Sequence, residues 1–264
     1  MSQKIAIIGG GNLGTAIAEG LLKSKFVKAT DITVTKRNIG TLKNLKAKGI
    51  KVTNDNVAAV KGSELIILAV KPFQVASVLE GFKKVLTSKH ILVSVMTGIS
   101  IGDIETIAKK KLPVFRAMPN TAIAIQESIT CISSKNATDA QVNYVRDLFS
   151  KLGEVVIIDE KLMDAATVLG ACGTAFAMRY IRANIQGGIE IGFDAATASL
   201  IAAQTVKGAA ELLLQKHSHP EEEIDKVTTP KGCTIAGLNE MEHQGFSSSL
   251  IKGIATSFNK IQKG

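Results

Sequence analysis

A short apolar strand that runs directly into a glycine-rich turn and then a helix constrains this chain most strongly. Residues 5–8 are Ile-Ala-Ile-Ile, and the residues that follow read Gly-Gly-Gly-Asn-Leu-Gly, the G-x-G-x-x-G spacing. Gly9 permits the tight turn, Gly11 lets the backbone approach a pyrophosphate, and Gly14 allows close packing of helix on strand. A helix that begins near Asn12 offers free N–H groups and its positive dipole end to the anion. Glycine-rich turns also occur for structural reasons, but the strand before this one and the Ala-rich helix after it predict a dinucleotide site.

The end of the second predicted strand favours NADP over NAD. A site for NAD places Asp or Glu there, where the carboxylate binds the ribose 2′-hydroxyl. This chain has Lys36, Arg37 and Asn38 after Thr35 instead. Two cations without an acid suit a 2′-phosphate, so we expect NADPH to be preferred to NADH. The alternative is that these side chains are ordinary exposed charges in a loop.

The first part of the chain alternates between β-rich and helical stretches. The strand candidates are 5–8, 32–35, 65–70, 91–95, 114–116, 129–132 and 155–158, and the helix candidates are 13–23, 40–48, 73–86 and 137–151. Such alternation predicts a parallel, doubly wound sheet with helices on both faces. The run 65–70 is apolar throughout, which is typical of a strand buried on both faces.

The composition and the hydrophobic pattern of the sequence change after residue 159. Ala, Leu and Ile recur at helical spacing in 161–189, 194–216 and 234–262, with no strand signal. We therefore predict an α/β protein with an N-terminal Rossmann-type domain in 1–160 and a C-terminal all-helical domain in 161–264. Apolar positions fall on more than one helix face, which favours a dimer that buries some of them.

The distribution of charge points to a phosphorylated ligand. The net charge is +9, and residues 1–160 hold 22 basic and 13 acidic side chains, whereas the remaining residues hold 10 of each. An excess of positive charge confined to the predicted nucleotide domain suits such a ligand. Nucleic acid is the less favoured partner, because the lysines are scattered and aromatic residues make up only 4% of the chain.

Membrane and metal classes find no support in the sequence. The longest stretches without charge are 14 residues, whereas a transmembrane helix needs about 20. The three cysteines, Cys131, Cys172 and Cys233, form neither a disulfide framework nor a metal pattern. The four histidines also lack the spacing of a metal site. We expect a soluble, cytoplasmic protein without a metal.

Beyond the glycine turn, the chain resembles the pyrroline-5-carboxylate reductase family over nearly its full length. Short segments occur in the order that the family has them: Glu19-Gly20-Leu21, Asp55-Asn56, Ala69-Val70-Lys71-Pro72, Ser94-Val95-Met96-Thr97-Gly98-Ile99, Arg116-Ala117-Met118-Pro119-Asn120-Thr121, Met163-Asp164-Ala165, Ala202-Ala203-Gln204-Thr205-Val206, and the segment 227–238. The resemblance implies an NADPH-dependent oxidoreductase of proline biosynthesis that reduces the cyclic imine 1-pyrroline-5-carboxylate to L-proline. It also implies homodimers formed through the helical domains, and rings of such dimers.

The motif and the resemblance together give a set of cofactor residues. They are Gly9, Gly11, Asn12, Leu13, Gly14, Lys36, Arg37, Asn38, Asn56, Ala69, Val70, Lys71, Pro72, Met96 and Thr97. The resemblance further implies that Cys233 and Thr234 hold the substrate carboxylate at a helix start, with Thr234 as the catalytic group that orients the imine, and that Glu160 lies near the substrate. From the residue types alone, the alternatives are that Thr234 is only an N-cap and that Glu160 is only a partner of a helix dipole.

Two segments depart from the pattern of the family. Residues 170–176 read Gly-Ala-Cys-Gly-Thr-Ala-Phe, where the family usually has Ser-Gly-Ser-Gly-Pro-Ala-Tyr, and Lys231 stands in a usual Pro-Gly-Gly. These changes leave two alternatives open. The alternatives to reduction of 1-pyrroline-5-carboxylate are a divergent relative that reduces another cyclic imine acid and a non-catalytic NADP-binding protein.

A β-hydroxyacid dehydrogenase is the rival enzyme class, since it also joins a Rossmann domain to a helical one. Its chemistry needs a base, commonly a Lys on the long interdomain helix. Residues 165–178 contain no ionisable side chain except Cys172, which disfavours that class.

Overall fold

The structure is a computed structural model that describes residues 3–262, and the chain divides into two compact units. The first runs through Cys172 and includes the C-terminal residues from Lys260, and the second is Gly173–Asn259. The outermost residues of the predicted domains 1–160 and 161–264, at positions 1, 2, 263 and 264, lie outside the described residues.

The first unit contains every strand that the described residues form. The strands are β1 (Ile5–Ile8), β2 (Ile32–Thr35), β3 (Lys51–Thr53), β4 (Leu65–Leu68), β5 (Ile91–Ser94), β6 (Val114–Met118), β7 (Ser128–Lys135) and β8 (Gly153–Ile157). Its α-helices are α1 (Asn12–Lys23), α2 (Lys43–Ala47), α3 (Asn56–Lys61), α4 (Val75–Phe82), α5 (Ile101–Ala108), α6 (Asp139–Ser150) and α7 (Met163–Ala166). A π-helix, Thr167–Cys172, follows α7.

The strands form one sheet in the order β3-β2-β1-β4-β5-β6-β7-β8. β1 pairs with β2 on one side and β4 on the other, so the order of the strands switches between β1 and β4, where ligands bind in open α/β sheets. The expectation of a wholly parallel sheet is wrong at β7, which is antiparallel to β6. Only residues 119–127 join these two strands, and a parallel crossover needs a dozen or more.

Two hydrophobic clusters cover the two faces of the sheet. One contains alternate strand residues such as Ile5 and Ile7 together with side chains of α1 and α6. The other contains the intervening residues, such as Ala6 and Ile8, with side chains of α3, α4 and α5. Every residue of β1 and β4 is therefore buried, which explains why both strands are apolar without alternation.

Several elements differ from the predicted boundaries. The predicted helix 73–86 is three pieces: a 3-10 turn at Pro72–Gln74, then α4, then a 3-10 turn at Lys83–Val85. The sequence reading missed β3, α3 and α5. The short α3 begins after Asp55, whose carboxylate accepts a hydrogen bond from the Ala58 N–H at 3.0 Å.

The second unit is helical throughout its described residues. It contains α8 (Gly173–Glu190), α9 (Ala195–Lys216), α10 (Pro220–Lys226), α11 (Cys233–His243) and α12 (Phe246–Gln262), the last of which ends in the first unit. Of its described apolar side chains only Ala198 and Ala202 are buried, whereas Met178, Leu200 and Ile251 are among those largely exposed. Such an apolar surface is typical of helices that pack against another chain. None of the described helices is both long and apolar enough to cross a bilayer.

Substituting Gly153 should test how tightly β7 and β8 approach each other. Gly153 has φ +139°, and a Cβ there would lie 1.9 Å from the Ser128 carbonyl oxygen. Gly153→Ala should therefore lower the free energy of unfolding by about 3 kcal/mol or more, measured by urea denaturation. Gly81→Ala is the matched control, since it lies in the last turn of α4 with nothing within 4 Å of its Cβ. It should stabilise by about 0.5–1 kcal/mol, and similar effects of the two changes would contradict the packing described.

Candidate functional site

A groove of about 770 Å³ lies at the carboxyl ends of β1, β2, β4 and β5. This volume falls within the range of small-molecule and cofactor sites. The groove collects every predicted cofactor residue except Gly14. It also contains residues that the sequence reading missed: Ile8, Gly10, Thr35, Asn54, Gln74, Val78 and Val95.

The glycine turn is fixed to the end of the neighbouring strand β2. The N–H groups of Gly9 and Gly10 both donate to the Thr35 carbonyl oxygen at the end of β2, at 3.2 and 2.7 Å. Gly14 lies behind the turn, where a Cβ would be 2.1 Å from the Gly9 carbonyl oxygen. Gly14 thus allows α1 to pack closely on β1 and does not line the groove. Close packing of helix on strand is the role of the third glycine of this motif.

The N-terminus of α1 faces the groove without a capping side chain. Gly11 is its N-cap residue and no side chain accepts a hydrogen bond there, nor does the first turn contain an acidic residue. The space beside Gly11 is also open, because a Cβ would meet no atom within 4 Å. Free N–H groups at the positive end of a helix dipole bind an anion such as a pyrophosphate.

Two cations stand at the end of β2. The Lys36 N–H donates to the Thr53 carbonyl oxygen at 3.0 Å, which fixes the backbone as it leaves the strand. Lys36 is half-buried and Arg37 is exposed, and neither has an ion-pair partner within residues 3–262. The Asn38 side-chain oxygen accepts from the Gly40 N–H at 3.0 Å, so it stabilises the next turn. Lys36 and Arg37 are therefore the groups here that can pair with a phosphate.

The opposite wall comes from the ends of β4 and β5. The Ala69 N–H donates to the Ile8 carbonyl oxygen at 2.9 Å, so the 69–72 turn follows the end of β1. The Lys71 N–H donates to the Gln74 side-chain oxygen at 3.4 Å, which brings Gln74 to the groove. Proline is common at the first position of a helical turn, so Pro72 was a sequence signal for the turn that contains Gln74. Asn54 follows β3, a strand too short to show a sequence pattern.

Met96 and Thr97 complete this wall beyond the end of β5. Met96 is 2% exposed, and the Thr97 hydroxyl contacts the Met118 sulfur on β6 at 4.0 Å. The position of Thr97 thus depends on β6 as well as on its own strand.

In the second unit, Cys233 and Thr234 are the first two residues of α11. The N-cap residue is Gly232 and it provides no side-chain acceptor, so the alternative that Thr234 is the N-cap is wrong. Thr234 is half-buried and Cys233 is exposed. Lys231, where the sequence departs from the family, has φ +62°, a left-handed conformation that non-glycine residues rarely adopt. The start of α11 thus has free N–H groups and a hydroxyl, which together can bind a carboxylate.

In the first unit, the Glu160 carboxylate is engaged by the protein itself. Its Oε1 accepts a hydrogen bond from the Ile101 N–H at 2.7 Å and lies 3.4 Å from Arg116 Nη1. Glu160 is therefore in part the partner of a helix start, as its residue type allowed.

The first part of the departing segment 170–176 lies in the π-helix. The Asn120 side-chain N–H donates to the Gly170 carbonyl oxygen at 3.2 Å, and the Thr167 hydroxyl donates to the Met163 carbonyl oxygen at 2.8 Å. Short π-helices often occur at functional sites. Segments of this kind are not readable from apolar spacing, and the sequence reading predicted one continuous helix there.

Cys131, His90 and His219 have structural surroundings. Burial raises the pKa of the Cys131 thiol above its usual value, which disfavours the reactive thiolate. The His90 ring contacts the Val60 carbonyl oxygen at 3.2 Å, and the His219 side chain accepts from the Glu221 N–H at the start of α10. Among residues 3–262, no three His, Cys, Asp or Glu side chains form a group that could hold a metal ion.

Comparison with known proteins finds the same two parts. Residues 160–263 match a family model described as pyrroline-5-carboxylate reductase dimerisation, and residues 4–98 match one described as NADP oxidoreductase coenzyme F420-dependent. Pyrroline-5-carboxylate reductase 2 of Dictyostelium discoideum is 44% identical over 99% of this chain and 93% of its own length. Pyrroline-5-carboxylate reductase 1 of the same organism is 48% identical over 97% of this chain, and the match covers about half (49%) of that relative.

A solved structure extends the comparison to three dimensions. The crystal structure of Plasmodium falciparum pyrroline carboxylate reductase with NADP bound superposes with a TM-score of 0.89. The two are 26% identical, and the match covers 99% of this chain and 97% of that one.

Substituting Gly11 should separate ligand binding from folding. Because no protein atom lies within 4 Å of a Cβ there, Gly11→Ala should lower the melting temperature by no more than the preference of an N-cap position for glycine over alanine. It should weaken dinucleotide binding by about tenfold or more, since a methyl group stands where the pyrophosphate approaches. Titration calorimetry and a thermal melt measure the two effects. Gly14→Ala is the comparison: its Cβ meets the Gly9 carbonyl, so it should lower the melting temperature. Unchanged affinity in Gly11→Ala would contradict the assignment of the groove.

Proposed function

Because this chain belongs to the pyrroline-5-carboxylate reductase family, we propose that it reduces the C=N bond of 1-pyrroline-5-carboxylate with hydride from NADPH and forms L-proline. The observation that carries the proposal is the groove over the β1–α1 junction, in a chain that matches these reductases along its length. The family is one of oxidoreductases of proline biosynthesis, and the NADP oxidoreductase model matches residues 4–98, which contain β1 to β5 of the sheet.

The groove fits NADP at each of its chemically distinct parts. The uncapped start of α1 suits the pyrophosphate, and the open space beside Gly11 lets it approach. Lys36 and Arg37 suit the 2′-phosphate, where an acid would repel it. The walls at 69–72 and at Met96 and Thr97 are left for the ribose and nicotinamide. NADPH supplies the hydride when it is bound there.

The start of α11 is our proposed site for the substrate carboxylate. The N–H groups of Cys233 and Thr234 lie in the first turn of a helix without a side-chain cap, and such groups favour an anion. The Thr234 hydroxyl adds a donor beside them. The resemblance to the family also predicts a substrate role for Glu160, although its contacts in the structure are with Ile101 and Arg116.

The chemistry requires placement more than a reactive side chain. Hydride adds to the imine carbon and a proton joins the nitrogen, so the C=N double bond becomes the C–N single bond of proline. Protonation of the nitrogen makes that carbon more electrophilic. The protein must therefore fix the carboxylate, hold the ring carbon against the hydride donor and donate hydrogen bonds near the nitrogen. We assign orientation of the imine to Thr234, and the proton comes from solvent or from that hydroxyl.

The second unit supplies the surface for assembly. Residues 160–263 are the dimerisation domain of the family, and its helices expose large apolar side chains. We propose that these faces bury each other in a homodimer, that dimers associate further into a ring, and that the enzyme acts in the cytoplasm.

Turnover of NADPH tests the proposed reaction directly. Adding 1-pyrroline-5-carboxylate to the protein and NADPH should lower the absorbance of NADPH and yield proline in equal amount, with a higher kcat/KM than with NADH. Other cyclic imine acids, assayed in parallel, serve as the control for specificity. A higher kcat/KM with another imine would reassign the substrate. NADPH binding without turnover on any of them would show a non-catalytic NADP-binding protein.

Substituting Thr234 tests the substrate site. A hydrogen bond to a charged group is worth about 1.5–3 kcal/mol, so Thr234→Ala should raise KM for the imine by about 10- to 150-fold and leave the Kd for NADPH unchanged. Thr234→Ser keeps the hydroxyl and should retain most of the affinity. Thr256→Ala, at an exposed position of α12, is the control for loss of a threonine methyl and hydroxyl. An equal loss of imine and NADPH binding would refute the role of Thr234.

A further inference from the structure

Arg116 is a buried cation in the sheet for which the proposed reaction has no use. The residue is 5% exposed and lies on β6. Its Nη1 is 3.4 Å from Glu160 Oε1, and its Nη2 is 3.5 Å from Asp164 Oδ1. Because a buried charge is costly unless it is paired, these two carboxylates are what allows an arginine to occupy this strand.

Glu160 extends the influence of Arg116 to the start of α5. Its Oε1 accepts from the N–H of Ile101, the first residue of that helix, at 2.7 Å. The neighbouring N–H groups are satisfied locally: Asp103 N donates to the Ser100 hydroxyl at 3.0 Å, and Ser100 N donates to the Asp103 carboxylate at 2.9 Å. The hydrogen bonds from Ser100 lower the pKa of Asp103, and the charge of Arg116 acts in the same direction. The hydrogen bond from Ile101 to Glu160 is thus a long-range contact at the start of α5. Contacts between Ser100 and Asp103 lie there as well.

The segment between β5 and α5 is part of the groove. Residues 95–100 include Met96 and Thr97, which line the wall assigned to the nicotinamide end. Its beginning is held by the hydrogen bond from Val95 N to the Leu68 carbonyl oxygen at 3.1 Å, and its end by the bond from Ile101 to Glu160.

β6 acts on this segment in two ways, one direct and one indirect. Met118 contacts the Thr97 hydroxyl, and it follows Arg116 by two residues on the strand, so both side chains lie on the same face of the sheet. Met118 acts on the middle of the segment directly, whereas Arg116 acts on its end through Glu160.

We propose that Arg116 is a positioning residue of the reductase: through Glu160 it fixes the start of α5, and with it the Met96–Thr97 wall that places the nicotinamide. This inference rests on the proposed function, since a hydride transfer is what makes that placement matter. Asp164 shares the guanidinium, and its other oxygen accepts from Gln262 at 3.4 Å. Among the side chains of the described residues, Glu160 pairs with Arg116 and with no second one.

Loss of the guanidinium has a definite structural consequence. Glu160 and Asp164 would then be like charges beside each other without a counter-ion. The Glu160 side chain is 33% exposed, so it can turn to water and release the Ile101 N–H. The wall would shift, and a misplacement of about 1 Å can cost about 100-fold in rate. Binding of the adenosine half, at α1 and Lys36, would persist.

The test compares Arg116→Gln with Arg116→Lys, and both with Glu160→Gln. We expect Arg116→Gln to lower kcat by about 10- to 100-fold, to change the Kd for NADPH by less than about threefold, and to leave KM for the imine near its original value. Arg116→Lys keeps the positive charge and should recover part of kcat. The double variant of Arg116→Gln and Glu160→Gln should be no slower than the slower single variant, because both changes act on the same tie.

The fluorescence of bound NADPH reports on the nicotinamide without turnover. Its enhancement on binding should fall in Arg116→Gln and return in part in Arg116→Lys. Glu105→Gln is the matched control, because it breaks the exposed ion pair of α5 with Lys135 (2.7 Å) and does not touch Glu160. It should alter neither kcat nor the fluorescence. If Arg116→Gln does not fold, Glu160→Ala carries the test, because it removes both the acceptor of the Ile101 N–H and the partner of Arg116. Both kcat and the fluorescence enhancement should then fall.

Three results would overturn the proposal. One is a lower melting temperature of the Arg116 variants with kcat of the folded enzyme within twofold of the original. Another is a raised KM for the imine in Glu160→Gln alone with kcat unchanged, which would make Glu160 a substrate ligand. The third is unchanged NADPH fluorescence in both Arg116→Gln and Glu160→Gln. If the unsubstituted protein shows no turnover, the proposed function fails, but the fluorescence comparison still decides the role of Arg116.

Discussion

The close approach of Gly14 to the Gly9 carbonyl is the contact on which the arrangement of the groove depends. A Cβ at position 14 would be 2.1 Å from that oxygen, so only glycine allows α1 to begin directly above the end of β1. The N–H groups of Gly9 and Gly10 then reach the Thr35 carbonyl oxygen, which joins the turn to β2. The start of α1 consequently lies at the strand switch point, where a dinucleotide meets both the helix dipole and the cations that follow β2.

Some helices of this chain begin at a residue whose side chain caps the first turn, and others begin at a glycine that cannot cap it. α5, α6 and α9 begin after Ser100, Thr138 and Asp194, whose side chains accept hydrogen bonds from the first turn. α1 and α11 begin after Gly11 and Gly232, which have no side chain to do so. The starts of α2, α4 and α7 also lack a side-chain cap, but each of these helices continues directly from a 3-10 turn. Since the first N–H groups of a helix need an acceptor, those of α1 and α11 are open to a ligand. The proposed pyrophosphate and carboxylate sites are these two starts.

Much of the fold could be predicted because its signals are local. β1 and β4 are short apolar runs, β2 alternates Ile and Val with Thr, and the glycine spacing marks the junction of β1 with α1. The direction of β7 was not readable, since it depends on the length of the connection 119–127 and not on the composition of the strand. The π-helix Thr167–Cys172 was likewise missed, because the hydrogen bond from Asn120 to Gly170 that helps to hold it joins residues 50 apart. Asn54 and Gln74 reach the groove only because of the turns beside them.

Glu160 shows why a predicted site residue needs its surroundings. From the sequence it was either near the substrate or a partner of a helix dipole, and nothing local distinguishes the two. The structure shows that the carboxylate binds the Ile101 N–H and faces Arg116, which lies 44 residues earlier in the sequence, on β6. An arginine inside an apolar strand is costly unless it is paired, so its presence was itself a signal that acidic partners lie nearby. Glu160 contacts both the buried Arg116 and the start of α5. It therefore links the middle of the sheet to the wall of the groove. A residue can therefore govern the placement of a cofactor without touching it.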